Sequence, residues 1–122
     1  MLKVMVRGSK KLINEELILR VMLEYFSNNP VGILILGNGA IGVDKYISQL
    51  SQNYSYQVRL YFAEITFGLI KSKAEYTRDK KMIDDEFPDI LFVFPSKRSK
   101  SIYRTIRYAQ KKGVKVVVNQ LD

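Results

Sequence analysis

The sequence predicts an α/β fold: a doubly wound, mostly parallel five-stranded sheet with helices on both faces, in one domain over 1–122. Three observations predict it. Short apolar runs alternate with helix-period segments along the chain, without a long linker, repeat or low-complexity tract. Val31–Leu36 and Asp89–Phe94 are almost continuously apolar, the pattern of strands buried on both faces. The 122 residues are one domain's worth, and 47% hydrophobic residues supply a core.

Leu2–Val6 alternates as a strand does, and Gly8-Ser9 breaks it. Asn14 can cap the helix that follows. Glu15 and Glu16 suit its positive end, and Leu17, Ile18, Val21, Met22, Tyr25 and Phe26 recur at helical spacing. Asn28-Asn29-Pro30 stops it, and Val31–Leu36 is the second strand. Gly37–Gly42 is a glycine-rich turn, and Asp44 to Gln52 is helical, with Tyr46, Ile47 and Leu50 on one face. Gln57–Ala63 is the third strand, and Phe67–Lys73 reads as either a loop or a helical turn. Ala74–Asp85 is helical, with Tyr76, Met82 and Ile83 available for burial. Asp89–Phe94 is the fourth strand, closed by Pro95, and Ser96–Ser101 is a polar, basic turn. Ile102–Lys112 is a helix with Ile102, Ile106 and Ala109 inward, ended by Gly113, and Val114–Val118 is the fifth strand.

Absent residues exclude whole classes of chemistry. Without Cys there are no disulfides, thiolate zinc sites or cysteine nucleophiles; without His there is no Ser–His triad or imidazole acid–base chemistry. What remains is carboxylates, Lys, Tyr, Ser, backbone amides and a borrowed ligand. The balance of 20 Lys+Arg against 12 Asp+Glu leaves +8, a field that attracts phosphates, nucleic acids and anionic membranes. The longest apolar run falls far below the ~18 residues of a membrane span, and the N-terminal apolar stretch is too short for a signal peptide. The expectation is an intracellular, cytoplasmic protein with no membrane partner.

Ligands of such sheets bind outside the carboxyl ends of the strands, where the strand order reverses. After strand two, Gly37-x-Gly39-x-x-Gly42 is the dinucleotide fingerprint between a strand and a helix. Its glycines let a phosphate approach backbone amides at the helix N-terminus, and Glu64 lies where a ribose-binding carboxylate would sit. The plainer alternative is a tight turn that only permits helix–strand packing. After strand one, Gly8-Ser9-Lys10-Lys11 offers a hydroxyl and two cations, or an ordinary solvated turn. After strand four, Ser96–Ser101 is either a second anion site or a solvated N-cap. Arg78 can fork onto a phosphate, or join Glu75 and Lys71 in a surface charge pattern. From Lys97 to Lys115 the charged residues are all basic, and Arg104, Arg107 and Lys111 share a helical face. That segment reads as a nucleic-acid footprint or a solvated face.

Taken together, these motifs resemble the SLOG superfamily, the Rossmann-like nucleotide-binding domains related to DprA/Smf and the LOG phosphoribohydrolases. The chain looks most like the small stand-alone YspA/YpsA-related members, over nearly its whole length. Val6-Arg7-Gly8-Ser9-Lys10 resembles their "GSR" turn, and Gly37-Asn38-Gly39-Ala40-Ile41-Gly42-Val43-Asp44 their "GGAxGxD" loop. Phe62-Ala63-Glu64 stands where they have "PAD", Arg78-Asp79-x-x-Met82 is similar to "RNxxM", and Pro88–Pro95 matches their fourth strand. The "SxGT" turn is altered at Ser99-Lys100-Ser101-Ile102, and the hydrolases' "PGGxGTxxE" motif is absent.

The resemblance implies binding or sensing of a nucleotide or nucleotide-derived phosphate ligand; no metal site is expected, and no cofactor is assigned beyond a nucleotide ligand. Gly37, Asn38, Gly39, Ala40 and Gly42 would cradle phosphate, and Asp44 would fix the turn or contact a ribose. Gly8, Ser9, Lys10 and Arg78 would grip the charge, with Ser99, Lys100 and Ser101 closing the far side. One alternative is a nucleotide-cleaving N-glycosidase using Asp44, Glu64 or Asp79 as acid–base. Another is nucleic-acid binding through 97–115. A dinucleotide-dependent oxidoreductase fits less well, since it needs a second domain for its substrate. Tyr46, Tyr54, Tyr56, Tyr61, Tyr76, Tyr103 and Tyr108 can line a homodimer interface or fill the core.

Overall fold

The computed structural model describes residues 1–9, 15–28, 31–37, 57–61, 71–97 and 99–120. In chain order the elements are β1 (Leu2–Gly8), α1 (Glu15–Tyr25), β2 (Val31–Gly37), β3 (Gln57–Tyr61), α2 (Lys71–Glu86), β4 (Ile90–Phe94), α3 (Lys100–Lys111) and β5 (Lys115–Val118). The helix expected over Asp44–Gln52 lies outside the described residues.

The strands form one five-stranded sheet of order β3-β2-β1-β4-β5, with every ladder parallel. This is the α/β, Rossmann-like, doubly wound architecture expected from the alternation of apolar runs and helices. The chain steps outward from β1 to β3, then crosses to β4 on the other side of β1. Right-handed crossovers made in opposite directions deliver helices to opposite faces. Accordingly, Ile18, Met22 and Phe26 of α1 and its C-terminal turn pack on Val4, Val6, Leu34, Leu36 and Phe92. On the other face, Met82 and Ile83 of α2 and Ile102, Ile106 and Ala109 of α3 cover Met5, Ile35, Leu91 and Val93. Phe92 is fully buried, with the rings of Tyr25, Phe26 and Phe94 centred 5.0, 5.1 and 5.4 Å from its own.

Several boundaries move by one to three residues, among them β2 to Gly37, β4 to Ile90 and α3 to Lys100–Lys111, and three show a local reason or settle an ambiguity. β1 runs through Gly8, because its ladder with β4 continues to Gly8↔Phe94 and the Ser9 amide still donates to the Phe94 carbonyl at 2.9 Å. The ambiguous stretch before Ala74 is helical from Lys71 onward. β5 starts at Lys115, because the Val114 amide is used on the Ala109 carbonyl at 3.0 Å, closing the turn after α3. Gly113 takes φ 84° there, the left-handed position that favours glycine after a helix. Tyr61, Tyr103 and Tyr108 are half-buried against the second core cluster, and Tyr76 stands edge-on to Tyr108. Tyr46, Tyr54 and Tyr56 lie outside the described residues.

The C-terminal end of α2 is tied to the sheet through Glu86, which is buried. Its carboxylate accepts from the Tyr61 hydroxyl at 2.9 Å and from Arg59, and Lys3 Nζ lies 3.6 Å from Oε1. Lys3 Nζ also donates to the Glu86 carbonyl at 2.9 Å. Burial alone would push the Glu86 carboxyl up, but the bonds from Tyr61 and Arg59 and the Arg59 and Lys3 charges outweigh it and hold it below its ordinary value. Burial, then the Glu86 hydrogen bond, push the Tyr61 phenol up to about 12. A carboxyl held low in the folded state stabilises the protein above its unfolded value, and that contribution is lost as pH falls through the folded value. Glu86→Gln should therefore be less stable than wild type at neutral pH, with the gap narrowing below about pH 4.5. Urea midpoints across the acid range measure it; a pH-independent gap would contradict the assignment.

Candidate functional site

The carboxyl ends of four strands finish nearly level, since Gly8 pairs with Phe94, Val6 with Leu36, and Gly37 with Tyr61. Side chains alternate across a strand, so Arg7 follows Met5 onto the face covered by α2 and α3. A buried arginine needs anions. Arg7 is 2% exposed, and its Nε donates to Asp79 Oδ2 at 2.8 Å. Its terminal nitrogen lies 3.6 Å from Glu75 Oε2, one turn earlier in α2.

Asp79 is fully buried and serves three elements at once. Oδ2 accepts from Arg7 and from the Thr105 hydroxyl of α3, both at 2.8 Å. Oδ1 accepts from Arg78 Nε at 3.2 Å and from its NH2 at 3.0 Å. These four donors fill the lone-pair sites of an ionised carboxylate. Asp79 therefore holds two guanidinium groups and the Thr105 hydroxyl at one point.

Arg78 is not part of an exposed charge pattern. It is 7% exposed, Glu75 faces Arg7 instead, and its guanidinium lies flat against Gly37, the last residue of β2. A Cβ built on Gly37 would stand 2.6 Å from Arg78 Cζ and 2.7 Å from NH1. Absence of a side chain at Gly37 is thus what lets the guanidinium reach the strand end. Two of its nitrogens are used on Asp79; NH1 has no hydrogen-bond partner among the described residues.

Gly8 and Ser9 leave β1 beside this point, both buried. Ser99 precedes α3 as its N-cap without a side-chain cap bond. Its Oγ turns back instead, accepting from the Ser96 amide at 2.9 Å and sharing a 2.8 Å bond with the Ser96 hydroxyl. Lys100 is exposed, and the Ser101 carbonyl lies 3.0 Å from the Thr105 hydroxyl, whose single proton is already directed at Asp79. Lys10, Asn38, Gly39, Ala40, Gly42, Asp44 and Glu64 lie outside the described residues. Arg7 and Thr105 are given no role by the sequence alone; the available signal for Arg7 is a charge directly after the apolar run Val4–Val6. Among the described residues no group of three or more carboxylates can hold a metal ion, and no helix is long and apolar enough to cross a membrane.

No known protein family, curated protein or solved structure matches the chain.

Removing one partner of a buried ionic network leaves charge uncompensated, at a cost of about 3–5 kcal/mol. Asp79→Asn should lose that much in urea unfolding, whereas Thr105→Val should lose only about 1–2 kcal/mol. Equal losses would show that Asp79 is not the hub. Gly37→Ala should cost about 1–3 kcal/mol by driving Arg78 off its carboxylate. Combined with Arg78→Ala, that penalty should vanish, as a double-mutant cycle would register.

Proposed function

We propose that the chain is a SLOG-like domain that binds a phosphate-bearing nucleotide at the carboxyl edge of its sheet. The observation that carries this reading is the Arg78 guanidinium, desolvated, oriented by Asp79 and laid on Gly37, with no hydrogen-bond partner for NH1 among the described residues. A buried donor without a partner costs about 1–3 kcal/mol, and an anionic oxygen removes that cost with a short, charge-assisted bond. Gly37 is also the first glycine of the Gly37-x-Gly39-x-x-Gly42 fingerprint, so backbone amides and guanidinium would address the same phosphate. Gly8 and Ser9 emerge at the strand-order reversal between β1 and β4, where ligands of such sheets bind. The order of motifs that the resemblance rests on agrees with this: its first turn, glycine loop and arginine would serve one edge.

Isothermal titration with a panel of nucleoside mono-, di- and cyclic phosphates tests the reading. At least one should bind, and Arg78→Lys, which keeps the charge but loses the fork, should weaken it about tenfold or more. Absence of heat throughout the panel, or unchanged affinity in a folded Arg78→Lys protein, would overturn it.

A further inference from the structure

We infer that the outer face of α3 is a docking surface for the phosphate backbone of double-helical nucleic acid, running from Lys100 at the sheet edge to Lys111. Lys100, Arg104, Arg107 and Lys111 are all exposed. At about 100° per residue they fall within an arc of roughly 60°, a straight stripe about 16 Å long. None of the four has an ion-pair partner among the described residues, whereas the neighbouring Lys112 lies 3.9 Å from Asp84 and is not counted. Lys97 and Lys115, also exposed, flank the stripe at either end of the helix. No acidic residue occurs from 97 to 120.

Helical surfaces of this charge are commonly balanced by acids three or four residues away. Here that balance is missing along the entire face, so each cation is available to an external anion. A duplex presents about one phosphate per 1.7 Å of axis, so a 16 Å stripe spans roughly nine of them. Two competing occupants fit less well. A membrane-surface helix needs an exposed apolar flank, but Ile102, Ile106 and Ala109 of α3 are buried against the sheet. Single strands are gripped by stacking on free aromatic rings, but the Tyr108 hydroxyl is held by Asp84 at 2.7 Å and Tyr103 packs on the core cluster. What the face offers is charge spaced along a line, which addresses the phosphate backbone rather than a single small anion.

Fluorescence anisotropy with a labelled, mixed-sequence DNA duplex of about 20 base pairs tests the inference over a range of salt. Four neutralised phosphates give a slope of log K against log salt of about −3.6, an affinity loss of about 150-fold for a fourfold rise in salt. The Arg104→Gln/Arg107→Gln/Lys111→Gln protein should bind with a slope shallower by about 2.7, and Arg104→Gln/Arg107→Gln by about 1.8. Both change exposed side chains only, and unchanged thermal melts would show that the fold is intact. Arg78→Lys should leave the duplex slope unaltered, which separates this surface from the nucleotide site. Failure to bind duplex at low salt, a wild-type slope in the triple variant, tighter binding to single strands, or binding only to anionic lipid vesicles would overturn the inference.

Discussion

The carboxylate of Asp79 is the point on which this architecture turns. It gathers Arg7 from β1, Arg78 from its own helix and Thr105 from α3, with no exposure of its own. An ion pair removed from water gains little net stability over an apolar equivalent, because desolvation offsets most of the attraction. What it supplies is definition. A guanidinium has one arrangement in which Nε and NH2 both reach the same oxygen, so Arg78 has little freedom left and lies against Gly37. The candidate site is thus positioned from behind, by a group that would not itself touch a ligand.

The same helix explains why ionic fastening is needed. Of the sixteen residues of α2, the apolar ones wholly buried are Ala74, Met82 and Ile83. α1 and α3 carry continuous apolar stripes and dock by burial, as amphipathic helices do. α2 is fastened at two levels instead: Glu75, Arg78 and Asp79 toward the carboxyl edge, and Glu86 on Lys3, Arg59 and Tyr61 at its last turn. Two polar clamps set rotation and height of the helix more sharply than three apolar contacts can, since hydrogen bonds are directional and apolar contacts are not.

Within the net charge of +8, two groups of cations meet contrasting environments. Arg7 and Arg78 are inside and paired, where their charge orients a site. The cations of α3 are outside and without ion-pair partners among the described residues, where their charge makes a long-range field. Composition reports only the sum. Strand order and helix orientation decide which arginines are structural and which face solvent.

Much of the fold was legible without coordinates. Nearly continuous apolar runs at Val31–Leu36 and Asp89–Phe94 demanded a sheet covered on both faces, and helix-period stripes at Ile18–Phe26 and Ile102–Ala109 demanded helices to cover it. These are local patterns, and period 2 or 3.6 is written in neighbouring residues. The strand order and the site's supporting network are not local. Arg7 meets Asp79 across 72 residues and Thr105 meets it across 26. In the chain alone Arg78 is equally well an exposed member of an i,i+4 pattern. Burial of that arginine follows only once β1, β2 and the two helices converge, because a charge enters the interior where partners from other elements await it. The sequence by itself determined the elements, their alternation and the glycines that end the strands. Tertiary structure decided which charges those strand ends would hold, since pairing energy depends on distance and desolvation, which only the folded chain defines.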